Sequence, residues 1–322
     1  MKKHKSGRAV LASLRSQAKS FYIRHIETRL TAQGEPPPAL DVSILSSYEE
    51  YRLHTARMQT EHRRCKEIED ALDQNNENCV TRGYCFVCGK WVRFQSSHWH
   101  GWEGEGRQQI NWRENLICPL CGLNNRMRAS VHLLAMKNLL KRETKIFLME
   151  QTTPLFAQLQ KSYPQIIGSE FLKNAVPQGH TDSKGIRNED ATNLTFEDQQ
   201  FDIILSFDVL EHISDFRIAF AECARTLHPD GKMLFSVPFV TDSAQNTIRA
   251  RLRPDNTIEH LLPPEYHGDP LSSEGCLCFY HFGWELLEQI KQSGFSSAKA
   301  LLYWSRDFGY LGREQIQFIA EK

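Results

Sequence analysis

The chain has 322 residues, a formal net charge of zero, 40% apolar and 24% charged residues. That is room for two domains of ordinary size, and the neutral balance gives no general pull toward nucleic acid. No stretch approaches the roughly 20 apolar residues that cross a bilayer, and Ala9–Leu14 is too short and polar for a secretory core, so a cytoplasmic protein is expected.

Residues 1–80 read as a helical N-terminal region. The first 40 carry eight Lys and Arg, from Lys2 to Arg29, against Glu27 and Glu35, which suits a solvated helix or a basic arm. Pro36, Pro37 and Pro38 break any helix there. Ser46 to Asp73 then lacks Gly and Pro and predicts one long helix. Its thin stripe of Leu53, Met58, Ile68 and Leu72 implies packing along another element rather than burial.

Residues 81–130 contain Cys85-Phe-Val-Cys88 and Cys118-Pro-Leu-Cys121, separated by 29 residues. Gly follows each pair, as a tight knuckle around a metal requires. Four thiolates at this spacing predict a closed, structural zinc site formed by Cys85, Cys88, Cys118 and Cys121. His98 and His100 lie between the pairs as substitute ligands. Trp91, Trp99, Trp102 and Trp112, with Arg126 and Arg128, suit either a small core, a lid over a neighbouring site, or a nucleic-acid surface.

From residue 131 to 322 apolar runs alternate with amphipathic segments. Strands are expected at Lys145–Met149, Gln165–Gly168, Phe201–Phe207, Lys232–Val237, Ala298–Tyr303 and Gln315–Ala320. Helices are expected at Thr153–Ser162, Asp215–Leu227 and Gly283–Ser293, with a turn at Pro229-Asp230-Gly231. The alternation predicts an α/β fold, a doubly wound and mostly parallel sheet binding ligand at its C-terminal edge.

Asp190-Ala191 with Leu194, Phe201-Asp202-Ile-Ile, Val209-Leu210-Glu211-His212 and Leu227-His-Pro-Asp-Gly-Lys232 together resemble the class I methyltransferases of the type 11 branch. The resemblance spans about residues 140–322 and implies a seven-stranded Rossmann-like sheet with S-adenosylmethionine as cofactor. It implies that Asp190 holds the adenine amino group, that Ala191 packs near the ring, and that Phe207 and Asp208 line the methyl-donor pocket. It also implies a first strand ending at Glu150 and a second ending in an acid for the ribose hydroxyls. Glu170 fits, 20 residues beyond Glu150. The chain departs from the family where a glycine-rich loop belongs: it has Glu150-Gln151-Thr152-Thr153-Pro154. Cofactor contacts there would come from Glu150, Gln151 and Thr152.

His212 and His267 are the catalytic candidates, His267 lying between Glu265 and Asp269 in an insertion placed to cover the site. The reading is methyl transfer to a hydroxyl of a small-molecule or glycan acceptor. Its rivals are an RNA methyltransferase gripping its substrate through the zinc module and basic arm, and a non-catalytic scaffold.

Overall fold

The computed structural model describes residues 37, 39–73, 78–98, 101–104, 107–173, 175–269 and 271–322. The basic N-terminal run, Trp99 and His100 lie outside them. The first element, β1 (Val42–Leu45), is a strand within a segment that the sequence reads as helical. Next comes α1 (Tyr48–Leu72), capped by Ser47, whose hydroxyl accepts from the Glu50 amide at 3.2 Å. It buries Cys65 and Glu69 and runs along the C-terminal strand, as its thin apolar stripe implies.

The hairpin of β2 (Asn78–Cys85) and β3 (Lys90–Ser97) carries the first cysteine pair at its turn, and α2 (Asn125–Met136) begins just after the second pair. The elements that follow are β4 (Ile146–Leu148), α3 (Pro154–Ser162), β5 (Ile167–Gly168), β6 (Phe201–Phe207), α4 (Phe216–Thr226) and β7 (Leu227–Ser236). A second hairpin, β8 (Tyr266–Asp269) with β9 (Ser272–Leu277), then precedes α5 (Glu285–Gln292), β10 (Ser297–Ser305) and β11 (Tyr310–Glu321).

One sheet has seven strands in the order β1-β10-β11-β7-β6-β4-β5. Its register sets β5, β4, β6 and β7 parallel, reverses β11 against β7, and reverses again at β10 and β1. Five strands therefore share one direction, and β1 supplies an edge. Successive side chains of a strand point to opposite faces. On β6, Ile204 joins the core under α4 and α5 with Phe220, Phe235 and Leu287, while Ile203 and Leu205 join Leu133 of α2 and Leu159 of α3. Helices thus cover both faces, which is the doubly wound arrangement expected. None of the described helices is long and apolar enough to cross a membrane.

The turn expected before the strand at Lys232 is also corrected. The turn at Pro229–Gly231 is part of β7, where the pairing jumps from Phe201–Leu227 to Ile203–Lys232 and Asp230 takes a φ of 64°. The irregularity absorbs the turn residues without ending the strand.

The cysteine-bearing segment is joined tightly to this sheet. Arg128 is fully buried, donates to the carbonyls of Phe308 (2.7 Å), Gly309 (3.0 Å) and Leu116 (3.2 Å), and stacks 3.8 Å from the Phe94 ring centre. Asn125 donates to the carbonyls of Trp112 and Leu311. Trp112 packs in a small core with Phe94, Ile110, Leu116 and Leu311 of β11. Arg126 and Arg128 are therefore interior groups rather than a nucleic-acid surface. The boundary drawn at residue 130 falls inside α2.

Candidate active site and cysteine cluster

The four cysteines meet as the spacing predicts. Cys85 Sγ lies 3.8 Å from Cys121 Sγ, Cys88 Sγ lies 3.8 Å from Cys118 Sγ, and all four sulfurs lie within 4.8 Å of one another. A tetrahedral metal with bonds of about 2.3 Å to sulfur sets sulfurs about 3.8 Å apart. Gly89 and Gly122 take φ values of 61° and 74°, the left-handed turn that closes each knuckle. His98 is engaged elsewhere, 3.1 Å from Asp73 at the end of α1.

A cavity of 1690 Å³ opens at the C-terminal edge of the parallel strands. Glu150, Glu170, Asp190, Ala191, Phe207, Asp208, His212 and His267 all line it. Gln151 and Thr152, expected to touch the cofactor, are not among the residues that line it. The Gln151 side chain accepts from the Arg187 amide and donates to the Gly185 carbonyl. Thr152 donates both its amide (2.7 Å) and its hydroxyl (2.6 Å) to Glu170 Oε1. Those bonds draw the Glu170 carboxyl down, yet burial outweighs them and leaves it above its ordinary value.

The loop has no glycine, but the neighbouring strand has one where it passes the loop. A Cβ on Gly168 would stand 2.9 Å from Gln151 Cβ and 2.5 Å from the Phe156 ring. Gly168→Ala is accordingly expected to lower stability by about 1–3 kcal/mol through overpacking. Urea denaturation checks this, and an unchanged midpoint would mean that the loop yields freely.

Glu150 is half-buried just past the end of β4. Its Oε1 accepts from the Phe207 amide at 2.9 Å, while its Oε2 is buried without a partner. Burial pushes this carboxyl well above its usual range. Asp190 accepts from the Thr192 amide and hydroxyl through Oδ1, fixing the turn after it.

Asp208 is more heavily committed than the resemblance implies. Arg113 grips it with two bonds of 2.7 Å, Ser236 donates to it at 3.0 Å, and Arg126 stands 3.4 Å away. Glu114 completes the network by pairing with both arginines. Arg113 and Glu114 come from the segment between the cysteine pairs, which thereby forms one wall of the cavity. No motif marked them in advance.

At the opposite wall, His212 donates Nδ1–H to the Leu277 carbonyl at 2.8 Å, which fixes its tautomer. Its Nε2 then points toward Glu211 Oε1 at 3.7 Å. Glu211 is fully buried and neither carboxylate oxygen has a hydrogen-bond partner. His267 reaches the same oxygen through Nδ1 at 3.5 Å and Glu265 through Nε2 at 3.0 Å. Its neighbours, the Cys278 thiol first and Glu211 next, push its imidazole up to about 11. The ring thus retains a proton near neutrality. Glu211 was legible only as part of the motif that ends in His212.

Residues 152–235 match the family model described as the methyltransferase domain. A curated relative, the ubiquinone biosynthesis O-methyltransferase of Rhizobium rhizogenes, is 28% identical over 93 residues, covering 26% of this chain. The chain spans 38% of that relative's length. Among solved structures, the Burkholderia thailandensis 1,6-didemethyltoxoflavin-N1-methyltransferase is 16% identical, with 61% of this chain and 77% of that one covered at a TM-score of 0.39. An S-adenosylmethionine-dependent methyltransferase from Mesorhizobium loti is 14% identical, with 61% and 100% covered at a TM-score of 0.36.

Proposed function

We propose that the chain is an S-adenosylmethionine-dependent methyltransferase acting on a small acceptor, with structural zinc in the four-cysteine cluster. The observation that carries this reading is the set of carboxylates placed on one cavity by successive strand ends, with Glu150 Oε2 buried and unpartnered. A buried carboxylate oxygen needs a donor, and the ammonium of the cofactor's amino-acid portion is one. Glu170 suits the vicinal ribose hydroxyls, with Thr152 holding its orientation, and Asp190 with Ala191 suits the adenine. The cofactor supplies an activated methyl group; the chain's own task is alignment and, for a hydroxyl acceptor, removal of its proton.

His212 is the better placed base: it lines the cavity, and with Nδ1–H tied to the Leu277 carbonyl its acceptor is Nε2, 3.7 Å from Glu211 Oε1. His267, between Glu211 and Glu265, positions that wall. The cavity also takes in Phe171, Leu252, Ile258, Tyr266 and Leu271, all exposed at its rim. An apolar rim favours an acceptor with an apolar body and one reactive hydroxyl over a glycan. The relative named above, an O-methyltransferase of ubiquinone biosynthesis, agrees with that chemistry. The burial of Arg126 and Arg128 argues against RNA as the acceptor.

Calorimetric titration of S-adenosylmethionine and S-adenosylhomocysteine into the zinc-loaded protein tests the reading. Binding is expected, weakened at least about tenfold, or 1.4 kcal/mol, by Glu170→Ala and again by Asp190→Ala. Absence of binding at millimolar cofactor would leave the fold as a non-catalytic scaffold.

A further inference from the structure

The hairpin that covers the cavity gathers a second set of ligand-type side chains, remote in sequence from the four cysteines. Glu265 immediately precedes β8, His267 lies on it, Cys278 follows β9, and His281 lies on the short strand Tyr280–His281. The order is Glu-x-His, ten residues, then Cys-x-x-His. Glu265 Oε1 lies 3.0 Å from the Nε2 atoms of both His267 and His281. The fully buried Cys278 thiol donates to the Tyr280 carbonyl at 3.2 Å. Glu265, Cys278 and His281 each place a ligand atom within 4.8 Å of the others.

We propose that Glu265, His267, Cys278 and His281 bind a second metal ion of the zinc type, in a closed tetrahedral shell. The donor set is right for that ion: one thiolate, two imidazole nitrogens and one carboxylate oxygen. The charge is also right. A thiolate and a carboxylate supply two negative charges, and with two neutral imidazoles a dication makes the site neutral, which a fully buried sulfur requires. Arg249 holds the other Glu265 oxygen at 3.1 Å and so orients the carboxylate.

The outer contacts fit a ligand histidine. With Nε2 on the metal, His267 keeps its proton on Nδ1, which faces Glu211 Oε1 at 3.5 Å. Ligand histidines ordinarily direct their second N–H at a carboxylate or carbonyl. Glu211, buried with no hydrogen-bond partner for either oxygen, thereby gains a donor. The metal staples both ends of the β8–β9 insertion and fixes the wall that carries His267. With four protein ligands it has no open position, so its role is structural. This proposal stands independently of the methyl-transfer reading.

The test is zinc content by mass spectrometry on the full chain, as purified and after loading with excess zinc and gel filtration. The expected result is about two equivalents in the wild type and in Cys276→Ser, and about one in Cys278→Ser and in His281→Gln. Cys118→Ser should lose the other equivalent. A wild type holding one equivalent or none, or a Cys278→Ser protein that retains two, overturns the proposal. Should Cys278→Ser not fold, cobalt-substituted wild type decides. Visible bands from an all-sulfur site together with a mixed nitrogen, oxygen and sulfur site support it; an all-sulfur spectrum alone overturns it.

Discussion

Asp208→Asn is expected to cost about 3 kcal/mol of stability, the low end of what breaking a buried ion pair costs. The low end applies because the Asp208 and Arg113 side chains keep 21% and 30% of their exposure. The loss would come from leaving Arg113 and Arg126 facing a neutral amide inside the cavity wall. Asn keeps the size and tolerates the positive φ of 59° at this position, so the substitution isolates the charge. Burial alone would raise the Asp208 carboxyl, but Arg113 and Arg126 outweigh it and hold it well below the usual carboxylate range. A depressed folded value means that this contribution is complete above the unfolded carboxylate value, about 3.9, and fades as pH falls below it. Wild-type stability should therefore drop more steeply than that of Asp208→Asn between about pH 5 and pH 2. Guanidinium denaturation across that range checks both the offset and the slope. Equal midpoints at pH 7 would show that the network contributes nothing net. An Arg113→Ala, Asp208→Asn double-mutant cycle would assign the coupling to this pair.

The network also explains which parts of the site could be read in advance. The strands and helices of residues 145–320 were legible because each is a short apolar run or an amphipathic repeat bounded by turn residues. Phe201–Phe207 has the predicted bounds. The acids after strands were legible because topology alone carries Glu150, Glu170 and Asp208 to one edge, while Asp190 reaches it from the connection between β5 and β6. What could not be read is what reaches that edge from elsewhere in the chain. Arg113 sits in a segment whose neighbours are knuckles and tryptophans, and nothing local says that it crosses to Asp208. The strand Val42–Leu45 is four residues long, and its place on the edge beside β10 depends on tertiary pairing rather than on its own pattern. Cys278 carries no local signal, since the groups beside it lie ten or more residues back and three ahead, and only the β8–β9 hairpin folds them together. The tight passage of Gly168 against Gln151 and Phe156 is likewise a tertiary contact with no local pattern to announce it.

Removing the zinc proposed for the four-cysteine cluster should have the largest effect of all, because the cluster anchors the wall that holds Asp208. Structural zinc contributes an apparent ~10–16 kcal/mol in small isolated modules. Here the packing of Trp112, Phe94 and Leu311 would survive in part, so the loss should be smaller, on the order of 5 kcal/mol. For a chain of this size that is a fall in Tm of about 10 °C or more. The consequence should not stay local. Cys118 and Cys121 precede Leu123, Asn124 and Asn125, which start α2, and Asn124 caps that helix by accepting from the Met127 amide at 2.9 Å. Arg126 and Arg128 follow on the same helix, one reaching Asp208 and the other tying the segment to the β10–β11 turn. Losing the knuckle should therefore release both arginines and open the cavity. Cys118→Ser, or dialysis against a chelator strong enough to take zinc from thiolates, should lower Tm and cofactor affinity together in one cooperative transition. The control is Cys79→Ser, whose sulfur lies on β2 outside the cluster and which should change neither. If Cys118→Ser lowers Tm while calorimetry finds cofactor affinity intact, the module is a separate appendage and its arginines do not shape the site.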